Sequence, residues 1–344
     1  MSPRRFLIAF TATVTAAFLA VSALNWGIDP YDQYGPHGLP PLTLTSRGAK
    51  STAIAQAAGA ARGLVLGSSR VLKVSPEQLE SLTGARFYNA GVYYGRPEDF
   101  LALVRRYGSV NGRPPSELVI GLDVDAFADR VGPDPELLRV PELRSEVPEC
   151  VTLSDRWQPV RELLSWRQTT GSLRLLYATA RHRAPENEEF FAPDGSIVYA
   201  ERDQRLAEGD YNWGTAFNYD RQVYLGLYQG YDRLSLMRML AWRDLMDYCE
   251  SHAVRLTVFL TPVHPKLLDE LRGVEHYERR RADVFALLDC TLPPRGRFLD
   301  LTEVASFRGD PEAFYDAVHL RSANASRLVE TLFSGGEAER YAVQ

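Results

Sequence analysis

Cysteine is scarce in this chain. Its 344 residues include three, Cys150, Cys249 and Cys290, an odd count with no C-x-x-C spacing. That excludes a zinc ribbon and a disulfide-dense scaffold. One bridge stays open on count alone, with buried free thiols as the other reading. Lysine is as rare: Lys50, Lys73 and Lys266 stand among 39 basic residues, a bias that coding preference explains. No block of like charge runs to five residues, and the net charge is −5 at pH 7. Sequence-independent nucleic-acid binding needs many phosphate-facing cations, so this balance argues against it. Several motifs are missing as well. There is no Gly-x-Ser-x-Gly elbow, no His-Glu-x-x-His, no Walker loop and no Gly-x-Gly-x-x-Gly. Metal hydrolysis, nucleotide hydrolysis and dinucleotide redox chemistry lose their simplest support. No metal and no cofactor is expected.

Long apolar runs are missing too, with one exception. Arg4 and Arg5 precede an uncharged stretch from Phe6 to Leu24. At about 1.5 Å per residue, such a helix nearly crosses a hydrocarbon core of about 30 Å. The arginine pair predicts a cytoplasmic amino end, with the rest of the chain extracytoplasmic: a single-pass protein of the inner membrane, its main domain periplasmic. Trp26 follows where an interfacial aromatic belongs. Val21-Ser22-Ala23 also offers a cleavage site, so residues 1–25 are an anchor or a signal.

Hydrophobic residues make up 45% and charged residues 24%, the mixture of a globular domain. Residues 26–50, rich in Pro, Gly and Tyr and including Pro40-Pro41, form a connector. Ser51 to Ala61 is Ala-rich and helical in pattern. Leu64-Val65-Leu66 is a short apolar run, as in a strand buried on both faces. Ser75-Pro76 then opens a helix. Arg86–Asn89 and Leu118–Asp123 are further strand candidates around an amphipathic helix from Arg96 to Tyr107. After a helix from Leu234 to His252 come a strand over Arg255–Leu260, a mostly helical stretch over Lys266–Leu288, a strand over Arg297–Leu301 and a helix over Ala323–Phe333. The alternation predicts an α/β fold, a three-layer doubly wound parallel sheet built from 51–128 and 232–336. Residues 129–231, with Pro133 to Pro193 and a hairpin turn at Asp194-Gly195, break the order. They read as an insertion over one end of the sheet.

Ligands of open α/β sheets gather at the carboxyl ends of strands. The polar groups there are Ser68-Ser69-Arg70, Asn89 to Gly95, Asp123, and Thr261 with His264. Ser69 is the candidate nucleophile, exposed at a strand-to-helix turn with its own N–H available to an oxyanion; helix capping is the alternative. Asp316 and His319, three apart, share a face if helical. They can supply the base that a serine needs and the carboxylate that orients it. The other histidines (His37, His182, His252, His264 and His276) lack such a carboxylate. His264 can line the site or serve structure.

Gly67-Ser68-Ser69 after the first strand, Asn89-Ala90-Gly91-Val92 with Gly95 after the second, and Asp316-x-x-His319 resemble blocks of the SGNH/GDSL hydrolase superfamily. Asn25-Trp26-Gly27-Ile28-Asp29-Pro30-Tyr31 resembles its membrane-anchored branch, which includes the D-alanyl transfer protein of teichoic acid synthesis and the SGNH-like O-acetyltransferases of exopolysaccharide assembly. The blocks span residues 64 to 333 and leave the insertion unmatched. The resemblance implies a flavodoxin-like core, with Ser69 as nucleophile, His319 as general base and Asp316 as its orienter. It implies a second oxyanion N–H from Gly95 or Gly91, Tyr94 leaving the alignment open; Asn89, Arg70, Asp123 and His264 are expected around the substrate from their places at the strand ends. It departs at Gly121-Leu122-Asp123, where the family's third block ends in Asn. An ionised carboxylate cannot donate to an oxyanion, and losing one donor costs about 10²–10³ in rate. Asp123 is then protonated, or otherwise employed, or the site is weak.

The expectation is a membrane-anchored, extracytoplasmic acyl-ester enzyme. It would pass an acyl group from a donor, supplied by a multi-span membrane acyltransferase, to a cell-envelope glycan or to water. Its rivals are a simple ester hydrolase, a structural domain without a site, and a non-catalytic glycan-binding or assembly factor on a degenerate SGNH scaffold. Trp213, Phe217, Tyr219, Tyr224 and Tyr228 motivate the last, because flat rings stack on sugars.

Overall fold

In the computed structural model, residues 2–333 are described, except 32, 35–37, 40, 43–44, 57–59, 130–131, 154 and 182–188. Pro40, Pro185, His37, His182 and the last residues of the 232–336 segment lie outside the described residues. The chain is α/β. Strands β1 (Gly63–Gly67), β2 (Phe87–Asn89), β3 (Glu117–Leu122), β6 (Arg255–Leu260) and β7 (Arg297–Asp300) form one parallel sheet in the order β2-β1-β3-β6-β7. β4 (Glu189–Phe191) and β5 (Ile197–Tyr199) form a separate antiparallel hairpin.

The central strands are buried on both faces, with Leu64–Leu66 of β1 and Leu118–Ile120 of β3 apolar in succession rather than at alternate positions, while the edge strand β7 is half-buried. Leu64 and Leu66 of β1 join one core with Leu118, Ile120, Leu256 and Val258, under the helices Pro97–Asn111, Leu236–Ser251 and Tyr277–Thr291. The intervening Val65, Val119 and Phe259 join a second core, under Pro76–Thr83 and Ser322–Phe333. The Ser75 hydroxyl accepts the Gln78 N–H and Pro76 takes the first helical position, as the sequence predicts. The mostly helical stretch Lys266–Leu288 consists of two helices, Pro265–Arg272 and Tyr277–Thr291, separated near Gly273.

The helix Pro3–Ile28 is long and apolar enough to cross a membrane, with a mean hydropathy of 2.1, and none of that apolar window is buried. Its carboxyl end is held by Asn25, which is buried. The Asn25 amide donates to Leu163 O (2.7 Å) and Thr169 Oγ1 (2.9 Å), and its oxygen accepts from Ser172 (2.8 Å). The helix expected from Ser51 starts earlier, at Arg47. There the Arg47 guanidinium grips both Asp99 oxygens, at 2.7 and 2.9 Å, inside the protein. All three cysteines are free thiols, Cys150 and Cys249 buried and Cys290 exposed.

The described residues between β3 and β6 add no strand to the main sheet. They share its core all the same, through Phe217, Tyr224, Tyr228 and Tyr231. The hairpin turn falls at Asp194-Gly195 as expected. Its tip docks against β2: Asp194 O accepts the Asn89 N–H (2.8 Å), and Gly195 O accepts from the buried Lys50 Nζ, which also donates to Asn89 O (2.8 Å).

Candidate active site

The strand order places the crossover reversal between β1 and β3, and in open α/β sheets the crevice there, beyond the carboxyl ends, is where ligands bind. Ser69 lies two residues past the end of β1, in the short 3₁₀ turn Ser69–Val71. The Ser68 hydroxyl accepts the Arg70 N–H (3.2 Å) and caps this turn, and the α-helix expected from Ser75-Pro76 follows at Pro76. The Ser69 side chain is partly exposed, while Ser68 and Arg70 on either side are buried.

Ser69 Oγ and His319 Nε2 are 2.8 Å apart, and His319 Nδ1 and Asp316 Oδ2 are 2.7 Å apart. An ionised carboxylate only accepts, so the proton on Nδ1 faces Asp316 and Nε2 is left to accept from the hydroxyl. Asp316 and His319 do not share a helical turn. They lie in a tight loop between Phe314 and Leu320, which are bridged to each other. Asp316 Oδ1 accepts the Val318 and His319 N–H groups (3.0 and 2.8 Å), so the carboxylate builds the loop that presents the imidazole. A spacing of three suits this Asx-type turn as well as a helix.

Burial alone would push the Asp316 carboxyl up. The His319 charge and the hydrogen bonds it accepts outweigh that and hold it well below the usual carboxylate range. Burial would likewise lower the His319 imidazolium, but Asp316 beside it carries the net shift upward.

The insertion brings two groups that the sequence did not mark. Arg202 Nη1 lies 3.7 Å from Asp316 Oδ2 while its other end pairs with Glu189 (2.8 Å). Asp220, on the helix Trp213–Gln229, places Oδ2 at 3.8 Å from His319 Nδ1. That oxygen is buried and makes no hydrogen bond. Burial, then the neighbouring Asp316 charge, raise the Asp220 carboxyl to about 7. Asp220, Asp316 and His319 each offer one ligand atom within 4.8 Å of the others. Three ligands match the protein share of a catalytic zinc site, but here Asp316 and His319 already spend those atoms on each other and on backbone N–H groups.

Several residues expected around the substrate are committed elsewhere. Asn89 is fully buried, donating to Val71 O (2.9 Å) and Val74 O (3.0 Å) and accepting the Gly91 N–H (3.0 Å). The Gly95 N–H donates to Val92 O (3.1 Å). A side chain at Gly95 would collide with Gly67 O, at 2.3 Å from the added carbon, so glycine there serves close backbone approach. From Asn89 to Arg96, every backbone N–H but that of Tyr94 has a partner among the described residues. Tyr94 is also held in the left-handed region at φ 51°, which costs a non-glycine residue about 1–2 kcal/mol. The Ser69 N–H likewise makes no hydrogen bond among the described residues.

Asp123 is an acceptor. It takes the Thr261 hydroxyl at 2.5 Å and faces Arg70 Nε at 3.6 Å. Arg70 is buried, donates to Thr261 Oγ1 (3.1 Å) and lies over the Tyr224 ring. Both therefore form a charged floor behind the serine. His264 caps the helix Pro265–Arg272 by accepting the Lys266 N–H (3.2 Å). It is boxed by Trp213, Phe217 and Phe314, and burial lowers its imidazolium. Its role is structural. Of the aromatics offered for sugar stacking, Phe217, Tyr224 and Tyr228 are core residues, and Tyr219 alone is exposed. Neither a protein-family model nor a curated protein matches the chain.

Proposed function

We propose that the protein is a membrane-anchored serine acyl-ester enzyme of SGNH type, working outside the cytoplasm. It would transfer an O-acyl group, acetyl first among candidates, to a cell-envelope glycan through a Ser69 acyl-enzyme. One observation carries the reading: a hydroxyl, an imidazole and a carboxylate in unbroken hydrogen-bonding contact, gathered from positions 250 residues apart at the carboxyl end of the sheet.

His319 Nε2 takes the proton as Ser69 Oγ bonds to the ester carbonyl carbon, and the carbonyl π pair moves onto oxygen. The Ser69 N–H stabilises that oxyanion, with the Tyr94 N–H the second donor in place of Gly95 or Gly91. Collapse of the intermediate expels the donor's alkoxide, which takes the proton from His319. A glycan hydroxyl, deprotonated in turn by His319, then attacks the acyl-serine and restores Ser69. Water in the same position gives hydrolysis. Asp316 keeps the proton on Nδ1 throughout and stabilises the imidazolium. Transfer is preferred to hydrolysis because the apolar helix and the segment after it resemble the polysaccharide-modifying branch; a multi-span acyltransferase would deliver the acyl group.

The reading of a degenerate, non-catalytic scaffold rested on Asp123 and on the aromatics of the insertion, of which Phe217, Tyr224 and Tyr228 are buried. The partners of Asp123 give it a different employment, charge pairing with Arg70, without requiring the reacting trio to be idle. Fluorophosphonate labelling and intact mass after incubation with acyl esters test the proposal. A label and an acyl adduct on Ser69, both lost in Ser69→Ala, are expected. Ester turnover that survives Ser69→Ala, or a folded protein that never takes the label, refutes it.

A further inference from the structure

The helices that grip the end of the apolar helix carry an unpartnered outer face. Trp166, Leu173 and Tyr177 on the helix Trp166–Ala180 are 81%, 54% and 63% exposed. Their spacing of seven and eleven residues sets Leu173 and Tyr177 about 20° to either side of Trp166 around a helix of 3.6 residues per turn, a stripe about 40° wide. The same periodicity sets Leu175, Gln168 and Gly171, which are buried, on the opposite side. Trp157, 67% exposed, and Val160 extend the apolar surface along the preceding turns.

Arginines border it. Between Gln158 and Arg181 the sequence has Arg161, Arg167, Arg174 and Arg181 against the single acid Glu162, in a chain whose net charge is −5. Arg167, Arg174 and Arg181, also seven apart, run beside the apolar stripe. Tryptophan and tyrosine flanked by arginine is the composition that settles between headgroups and acyl chains.

The location agrees with the composition. Asn25 joins the helix Pro3–Ile28 to Leu163, Thr169 and Ser172 immediately after the uncharged run ends at Leu24. The Tyr34 hydroxyl donates to Pro159 O (3.1 Å), and Arg167 lies over the Tyr31 ring. The amphipathic helix is thus fixed to the level at which the apolar helix would leave a bilayer.

We propose that residues 157–181 form a lipid-binding surface that rests on the membrane, its aromatic stripe among the acyl chains and its arginines on anionic headgroups. The inference rests on the membrane-anchor reading of Pro3–Ile28, so its test separates the two. The full chain is reconstituted into vesicles of phosphatidylcholine with about one third phosphatidylglycerol, an anionic composition that attracts arginine, and with brominated acyl chains that quench tryptophan. Wild type is compared with Trp26→Phe and with the double variant Trp157→Phe, Trp166→Phe. Both of those indoles stand in solvent, so packing is unaffected, which a melting curve checks.

The expected result is quenched emission, one part lost in Trp26→Phe and a separate part lost in the double variant. If Trp26 is quenched while the double variant loses no quenched emission, the lipid surface is overturned, the anchor stands, and the face belongs to a protein partner in the membrane. If nothing is quenched and the chain does not sediment with the vesicles, both readings fall.

Discussion

Asp316→Asn tests the reacting trio more sharply than removal of the serine, because the structure fixes how the amide must sit. Asp316 Oδ1 accepts two backbone N–H groups, at 3.0 and 2.8 Å, and Oδ2 meets His319 Nδ1 at 2.7 Å. An asparagine keeps one acceptor atom, and the two N–H donors hold it at the Oδ1 position. Arg202 at 3.7 Å from Oδ2 would prefer oxygen there, but at a distance too long for a hydrogen bond. The amide NH₂ therefore faces Nδ1 and donates to it. His319 must then hold its proton on Nε2, where it cannot accept from Ser69. The loop survives and the base is disabled. Such a tautomer inversion lowers kcat by about 10⁴ in serine triads, or about 5.5 kcal/mol at 1.36 kcal/mol per decade. Burst kinetics on an activated acetyl ester, with a melting curve as control, measure it. A folded variant that loses less than about tenfold would refute the tautomer role of Asp316.

Asp220→Asn removes a carboxyl whose ionised form, reached near and above its own value of about 7, helps raise the His319 imidazolium; the acid limb of kcat/KM, which lies above the free-histidine value in wild type, moves to lower pH, and a profile from pH 5 to 9 shows it. An unmoved limb means Asp220 does not sense the imidazole. Lys50→Met leaves Asn89 O and Gly195 O buried without their donor, and urea denaturation should show a loss of about 1–3 kcal/mol. Burial pushes the Lys50 amine down to about 7, so the unfolded chain holds that proton more tightly between about pH 7 and its ordinary value near 10.4. Wild-type stability, relative to Lys50→Met, therefore rises with pH across that window; a flat difference would count against a neutral buried amine. Gly95→Ala drives a carbon into Gly67 O and should displace the loop carrying Tyr94, lowering fluorophosphonate labelling well before the fold melts.

Most of the sheet was legible because its strands are short, apolar and flanked by polar or glycine residues. β6 was read to the residue, Arg255–Leu260. The trio was legible as residue types but not as local structure: the Asp316–His319 spacing fits a helix, and a carboxylate capping its own loop wins. Charges in the core were not legible at all. Arg238 and Glu98 are wholly buried and pair at 3.2 Å, yet each comes from a helix with ordinary polar neighbours. Arg202 and Asp220 had no local signal either, since only tertiary packing turns an arginine and an aspartate of the insertion toward Asp316 and His319. Asn89 and His264 were legible as polar groups at strand ends, but not in what their side chains bond. Both lie at strand ends as ligand-binding residues do, but unpaired backbone groups near them claim their side chains first.

The insertion is the element that joins these features. One part supplies Arg202 and Asp220 to the reacting trio, the hairpin braces Asn89 and Lys50 beneath it, and the segment from Pro159 to Ser172 holds Asn25 and Tyr34. A site on a free connector would sample a range of heights that grows with the square root of linker length. Here the connector is bypassed, because its two ends are pinned by Asn25 to the insertion and by Arg47 to Asp99. The serine is thus carried at a set distance from the apolar helix. An enzyme that takes an acyl group from a membrane-bound donor benefits from that constraint, since holding two reacting partners in register removes an entropy cost from every encounter. A hydrolase of soluble esters has no such need, so a rigid mount is what the proposed transfer, rather than hydrolysis, would call for.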